Sequence, residues 1–562
     1  MRIWFRPKLV DAFRQYSAAD LRMDLVAGVT VGVVALPLAM AFGIASGVTP
    51  AAGIYTAIVA GFLISVLGGT RVSIGGPTGA FIAILYGIYQ QYGANNAAVC
   101  TIMAGGFLVL MGLCRAGTLI KFIPFPVTMG FTSGIAIVIL FTQVKDFLGL
   151  EMKRVPVDFL HQLREIFSHL GTIHSATFLL AIGSLVAIRI WPDRWGRYVP
   201  GSIIVLTAGT ILVGLTQTSG SFGLATIGSR FGGIPQGPPV FTPLHVDWFH
   251  LHELIRPAFT IALLAAIESL LCAVVADGMT DDRHDSNTEL VAQGIANICT
   301  PLLGGIAATG AIARTATNVK NGARSPIAGI VHAFVLLVIV LVAAPLAKFI
   351  PLAVLSAVLV NVALNMGEWH HFARLRKWPR SDASVFLLTF VLTVAIDLTV
   401  AVEAGLIMAA ALFIKRISEL TNVNAITETQ PGNHSHVQMS LPAGVMVYRM
   451  HGAFFFGAVD KLETALKRAG QEPEVLILQI AEVMAIDATG LNALEDLFEK
   501  LARKKRHLIL VGPHTQPLLA IEKCGLMQRL GMDNLCAELP MALARAEAIL
   551  AGNTAGQSGG KG

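Results

Sequence analysis

The chain has 562 residues, of which 54% are hydrophobic and only 14% charged, against roughly 25% charged in soluble domains. That balance excludes a soluble globular protein over most of the length. The formal net charge of +6 does not single out nucleic acid, because the basic residues cluster at the ends of apolar runs instead of forming one stripe.

Residues 1–24 form a basic N-terminal segment carrying Arg2, Arg6, Lys8, Arg14 and Arg22, and no small-residue cleavage site follows a short apolar core. The first apolar run is therefore read as a retained span, not a signal peptide. Runs close to the ~20 residues of a bilayer crossing then recur through a transmembrane domain at 25–425. Hydropathy predicts a first series at 25–46, 51–68, 77–91, 97–114, 126–146, 176–191 and 200–217. A second series follows at 258–276, 289–303, 311–320, 326–348, 351–366, 383–399 and 401–416.

With the N-terminus inside, the turns back to the cytoplasm carry Arg71, then Arg115 and Lys121, then Arg189, Arg194 and Arg197. In the second series they carry Arg283, then Lys320 and Arg324, then Arg374, Arg376, Lys377 and Arg380. This basic bias predicts both termini on the cytoplasmic side. The opposite side holds Lys145, Lys153, Arg154 and a Gly/Pro-rich loop from Thr218 to Pro257.

Two segments, each third in its series, open unlike full spans: Ser73-Ile-Gly-Gly-Pro-Thr-Gly-Ala-Phe81 and Gly304-Gly-Ile-Ala-Ala-Thr-Gly-Ala-Ile312. Short Gly/Pro-interrupted segments at matching places in two halves point to a transporter site made by broken helices. Each half has an odd number of spans, so the second copy, 258–416, is inverted relative to the first, 25–217. The competing reading is that the small residues only let helices pack closely.

Irregular backbone at mid-membrane is tolerated where it lines a cavity or is buried in protein. Two half-helices meeting there aim unpaired N–H groups and positive dipole ends at the pocket, which favours an anion as ligand. Arg314, one turn into the second half-helix, adds positive potential; a snorkelling or paired arginine is the alternative. Glu268 is a lone acid in the apolar run Ala258–Ala276, and low dielectric favours its protonated form, which makes it a candidate proton carrier. Its alternative is a structural carboxylate paired with Arg314 or a backbone amide. Asp397 and Glu403 lie near a predicted turn and are read as solvated.

After Asn422 the composition becomes ordinary, and a domain at 437–551 is expected. Short apolar runs at Val445–Tyr448, Ala453–Phe456, Val475–Ile480 and His507–Val511 alternate with amphipathic helices, which predicts a small α/β sheet covered by helices. The Gly/Ser-rich end, 552–562, is expected to be disordered.

The six cysteines, Cys100, Cys114, Cys272, Cys299, Cys524 and Cys536, show no CxxC spacing, so neither a disulfide framework nor a zinc site is implied. His370-His371 lies in a basic turn and no metal-spaced histidine pair stands out, so no metal and no other cofactor is expected. The absence of a Gly-x4-Gly-Lys-Ser/Thr loop disfavours a pump, and no hydrolase signature supports an enzyme.

The stretches Val26–Met40, Gly75–Thr78, Gly130–Gly134, Glu289–Asn297 and Gly304–Arg314 together resemble the sulfate permease (SulP) family of solute-carrier anion transporters, over nearly the whole chain. The resemblance implies an α-helical polytopic fold of 14 segments. They form a seven-plus-seven inverted repeat divided into core and gate domains, commonly dimeric, with substrate between the third and tenth helices. Carried over by position, it implicates Phe42, Thr78, Gly79, Ala80, Gly310, Ala311, Ile312 and Ala313 in the pocket. Phe42 has core packing as its alternative, and Thr78 has helix capping.

Leu38 stands after Pro37 where many members have a glutamine, which weakens transfer of sulfate specificity. Ala266–Thr280 is especially similar to the family's dicarboxylate-uptake branch. The reading is therefore proton-coupled uptake of C4-dicarboxylates such as succinate, fumarate or aspartate by alternating access, at a bacterial inner membrane. The alternative is a bicarbonate or sulfate transporter, sodium- or proton-coupled, or an anion channel of the same fold. Sodium-coupled members are similar too but place hydroxyls where this chain has Cys272, an ion-site neighbour, and Ile312. Sodium prefers oxygen ligands.

The turn Ile486-Asp-Ala-Thr-Gly-Leu491 resembles the signature loop of STAS domains. In signalling relatives hydroxyls after the aspartate accept phosphate; here Ala488 replaces one and Thr489 remains. A helix N-cap is the preferred reading of Asp487, and a regulatory, protein-binding or dimer-contact role is expected of the domain.

Overall fold

The computed structural model describes residues 5–14, 16–120, 124–152, 156, 158–192, 199–217, 223–244, 251–396, 398–420, 422–426, 441–455, 459, 461–462, 464–466 and 473–558. Lys121, Lys153, Arg154, Arg194, Arg197, Asp397, Phe456, the whole 427–440 linker and the end 559–562 lie outside the described residues. The chain divides into two units, Met1–Ala409 and Ala410–Gly562.

In the first unit, α1 (Ala18–Ala45) starts at a capping box in which the Ser17 hydroxyl accepts from the Asp20 N–H and the Asp20 carboxylate accepts from the Ser17 N–H. Thr49 caps α2 (Pro50–Leu67), whose proline occupies the first turn. An extended stretch with the short strand β1 (Gly75–Gly76) leads into α3 (Phe81–Leu113). Gly93, at φ 80° and ψ 171°, breaks α3, so the predicted segments 77–91 and 97–114 adjoin across a kink without a loop.

Then come α4 (Phe125–Leu148), α5 (Ser175–Ile190), α6 (Gly201–Gln217), α7 (Leu251–Thr280) and α8 (Ser286–Leu302). A second extended stretch with β2 (Thr309–Gly310) leads into α9 (Ile312–Lys320), followed by α10 (Ile327–Ala347), α11 (Leu352–Met366), α12 (Arg380–Ala395) and α13 (Leu398–Leu420).

The packing exchanges partners between the halves. α1 and α2 pack on α10, while α7 and α8 pack on α3. Beyond the Gly93 break, Phe107 meets Phe259 of α7 edge-on at 5.9 Å between centroids. Gly105 and Gly294 face each other so closely that a Cβ on either would strike the other backbone. First and second segments of each half thus pack on the fourth segment of the other, as an inverted seven-plus-seven repeat requires. A second group joins α4 to α11 and α12, and α5 to α11.

Among the described residues, seven helices are long and apolar enough to cross a bilayer by length and composition. α9, with 9 residues, spans about 13.5 Å at ~1.5 Å per residue and cannot cross the ~30 Å hydrocarbon layer alone.

The second unit is a five-stranded sheet ordered β3-β4-β5-β6-β7. Its strands are β3 (Asn422–Ile426), β4 (Val445–Phe454), β5 (Val475–Ile486), β6 (His507–Val511) and β7 (Leu535–Cys536). β3 is antiparallel to β4, and the other pairings are parallel. The helices α14 (Ala488–Arg503), α15 (Thr515–Lys523), α16 (Leu526–Leu530) and α17 (Leu539–Ser558) accompany it. Alternate residues face two cores, Tyr448, Leu476 and Leu478 on one side and Val447, Val475 and Ile477 on the other.

Three expectations are corrected here. The runs at 445 and 453 are one strand, bent by register shifts at Arg449/His451 and Gly452/Ala453. β3 precedes residue 437, because its polar-apolar run pairs with β4 and extends the sheet. The end expected to be disordered from 552 continues α17 to Ser558, since Ala542, Leu543 and Ala546 anchor that helix on the sheet.

Candidate functional site

The two extended stretches cross as an antiparallel pair, with Gly75 opposite Gly310 and Gly76 opposite Thr309. The Ala311 N–H donates to the Ile74 carbonyl at 2.8 Å. A crossing this short leaves many backbone groups to be satisfied in a low-dielectric interior, and fixed side chains satisfy them.

α8 supplies both clamps. Asn297 brackets Ala308, its amide donating to the carbonyl at 2.8 Å and its oxygen accepting from the N–H at 2.9 Å. Glu289 accepts from the Gly69 N–H at 2.9 Å and the Thr70 hydroxyl at 3.0 Å, and Gln293 donates to its second oxygen at 3.0 Å. From α9, Thr315 accepts from the Ile74 N–H at 2.9 Å and Asn318 donates to the Val72 carbonyl at 2.9 Å. The Thr56 hydroxyl accepts from the Ile306 N–H at 2.7 Å, and Thr309 donates to the Ala265 carbonyl at 3.0 Å.

Replacing Asn297 by alanine strands a buried N–H and a buried C=O. At about 1–3 kcal/mol for each unsatisfied group, Asn297→Ala is expected to cost about 2–6 kcal/mol. A fall in the midpoint of thermal unfolding in detergent checks it.

The crossing leaves two helix N-termini without a side-chain cap, α3 after Ala80 and α9 after Ala311. Nothing among the described residues accepts from the N–H groups of Ile312, Ala313 and Arg314. Ile312 and Ala313 are exposed, whereas Gly79, Ala80, Gly310 and Ala311 are buried. Thr78 does not cap α3. Its hydroxyl donates to Glu268 at 2.9 Å, tying α7 to the start of the first half-helix.

Arg314 is 2% exposed. Its Nη2 donates to the Pro77 carbonyl, and its Nη1 has no partner. The guanidinium therefore braces the first stretch from the second half-helix. Gly76, at φ 151°, has no room for a Cβ beside that guanidinium. Arg314 makes no ion pair with Glu268 or with another carboxylate among the described residues. The Arg314 pairing weighed as one alternative for Glu268 is thus not formed, and Arg314 has a backbone carbonyl as its partner.

Cys272, about one turn beyond Glu268 on α7, donates from Sγ to the Thr315 hydroxyl at 3.1 Å and lies 3.7 Å from Ser73 Oγ. Phe42 is buried in the apolar cluster that holds Ala80 and Phe81, so packing and a position beside the half-helix coincide there. Glu403 pairs with Arg256 at 2.9 Å, both exposed. An apolar cavity of ≈ 570 Å³ between α1, α6 and α10 is lined by residues such as Leu36, Leu206 and Val340, none of them charged. That lining suits hydrocarbon, not an anion.

In the second unit Asp487 caps α14, its carboxylate accepting from the Gly490 N–H at 2.8 Å. Thr489 is exposed.

Sequence reasoning missed the roles of Glu289, Asn297, Thr315 and Asn318. The signal was present for α8, where polar residues recur every fourth position at 289, 293 and 297 in a predicted span. It also missed His332 of α10, which is fully buried with neither ring nitrogen hydrogen-bonded.

The model of the sulfate permease family matches residues 21–389, and that of the STAS domain matches residues 436–539. The putative sulfate transporter YvdB of Bacillus subtilis is 42% identical over 93% of this chain and 97% of its own length. The bicarbonate transporter BicA of a Picosynechococcus species is 30% identical over 94% of this chain and 95% of its own. The murine Slc26a9 anion transporter, in its inward-facing state, superposes with a TM-score of 0.86 at 18% identity over 96% of this chain and 94% of its own. That last likeness speaks to the fold alone. With a broken-helix crossing, two open helix N-termini and a buried arginine at the centre, the chain belongs to the sulfate permease family of anion transporters and carries a C-terminal STAS domain.

Proposed function

We propose that this chain takes up a small inorganic oxyanion, of the sulfate or bicarbonate class, by cation-coupled alternating access. The observation that carries the reading is the convergence of two uncapped half-helices on a crossing braced by Arg314, whose Nη1 is buried and unpartnered. Such a site replaces part of an oxyanion's hydration shell without a fixed negative group directly opposed to it. The names of the relatives favour the inorganic alternative over C4-dicarboxylates.

For a proton-coupled dianion, Glu268 carries one of the coupled protons. It is a half-buried carboxyl with a hydroxyl donor and no cationic partner among the described residues, so it takes up a proton in one half of the cycle. Each charge moved across 100 mV is worth ~2.3 kcal/mol, so a dianion entering with a single proton still moves uphill electrically. Sulfate uptake therefore requires more than one proton per cycle. Bicarbonate with a proton gains nothing over dissolved carbon dioxide, so for that substrate the coupling ion is sodium. Substrate and coupling ion are thus linked.

Uptake of labelled sulfate, bicarbonate and succinate by proteoliposomes, under an imposed pH or sodium gradient, tests the reading. Accumulation above equilibrium of one inorganic anion supports it. Flux that only runs downhill selects the channel, and preferential accumulation of succinate restores the dicarboxylate reading.

The placement that goes with this function is a bacterial inner membrane with both termini cytoplasmic, supported by the basic turns, in a homodimer. The STAS domain is assigned regulation or a protein contact. A truncation testing that role must be made before Asn422, since a cut after Ala425 would leave most of β3 behind.

A further inference from the structure

We propose that Glu368, His370 and His371, on the turn between α11 and α12, form a binding site for a divalent transition metal, with zinc as the first candidate. The Oε2 of Glu368 lies 3.5 Å from His370 Nδ1 and 3.7 Å from His371 Nε2, and the three ligand atoms fall within 4.8 Å of one another. These separations are too long for good hydrogen bonds. They match the ligand-to-ligand edge of a tetrahedral site, which is about 3.3 Å for metal–ligand bonds of about 2.0–2.1 Å. The edge between the two histidine nitrogens is at most 4.8 Å, so closing the set around one ion takes ring movements of up to about 1.5 Å.

The turn is held in this form by its surroundings. Glu368 adopts φ 43°, a left-handed conformation uncommon for a residue other than glycine, just before the short helix His370–Arg374. The Ser133 hydroxyl of α4 donates to the neighbouring Gly367 carbonyl at 3.0 Å. The His371 ring packs against Phe125 and Trp378, each 5.5 Å away between centroids, and lies 4.0 Å from the His370 ring. Nδ1 of His371 is buried, so Nε2 is the nitrogen offered to a metal.

Two imidazoles and one carboxylate suit zinc, copper or nickel better than magnesium or calcium, which prefer all-oxygen sites. Exposed His370 leaves the fourth position open to water. Arg374, Arg376 and Lys377 follow in the same turn, and their positive charge opposes that of the ion. The expected affinity is below that of a structural zinc site, as for a responsive one. Adjacent histidines are no metal spacing along a helix, so only the turn at Glu368 creates the cluster.

The test uses the full-length protein in detergent, with any affinity tag removed and metal stripped, titrated with Co²⁺ and then competed with Zn²⁺. The expected result is saturable binding of one ion per chain, with the visible ligand-field bands of four-coordinate cobalt. His370→Ala should weaken it by at least about tenfold, the lower end of what even outer-shell changes cost. The His370 side chain is 56% exposed, so that variant keeps its fold. Glu368→Gln, which keeps the shape, should weaken binding likewise. Absence of saturable binding, or binding unchanged in both variants, overturns the site.

Discussion

Glu268→Gln is expected to abolish accumulation against a gradient while counterflow exchange of the anion continues. Glutamine keeps the shape of the side chain, and its carbonyl oxygen still accepts from Thr78, whose hydroxyl lies 2.9 Å away in the wild type. What it loses is the ability to take up and release a proton. With sulfate as substrate, lowering external pH should raise the wild-type driving force by about 1.4 kcal/mol per unit for each coupled proton, or about tenfold in the limiting accumulation ratio. The variant should show a slope smaller by the one proton that Glu268 carries. Uptake assayed at several external pH values with internal pH fixed checks both parts. An unchanged slope in Glu268→Gln would move the proton to another group.

The second large effect is expected at Arg314. The guanidinium reaches the Pro77 carbonyl from the second half-helix and keeps Nη1 free, so it supplies both a brace and a charge. At an effective dielectric near 20, a unit charge about 6 Å from the anion contributes ~2.8 kcal/mol, roughly 100-fold in affinity. Arg314→Gln should therefore raise the half-saturating anion concentration by about that factor. Arg314→Lys keeps the charge but loses the planar fork, and should fall between the two. If lysine and glutamine are equally poor, the brace matters and the charge does not. Size-exclusion profiles of both variants separate a misfolded protein from a weakened site.

The broken helices were legible because their glycines, Pro77 and the repeated Thr-Gly-Ala at 78–80 and 309–311 contradict an uninterrupted span. Glu268 was legible as a lone acid in an apolar run. Its partner was not, because Thr78 is 190 positions away and no periodicity links them. The same holds for Glu289 with Gly69 and Asn318 with Val72, which meet only once the two halves interlock.

The helix start at Pro50 was read to within one residue, whereas the span predicted from 25 missed the cap at Ser17 and the first two turns of α1, whose polar residues read as a solvated segment. The join of the third and fourth segments at Gly93 escaped because a polar Gln-Gln-Tyr-Gly stretch reads as a loop. In the second unit, the helix cap at Asp487 could be read from local sequence, whereas β3 could not, since its strand character comes from pairing with β4.

The most direct measurement is a cryo-electron microscopy map of the protein in lipid with its transported anion at saturating concentration. The anion's density is expected between the first turns of α3 and α9, within hydrogen-bond reach of the N–H groups of Ala313 and Arg314. Density for the anion elsewhere, with those N–H groups facing protein or empty hydrocarbon, would contradict it.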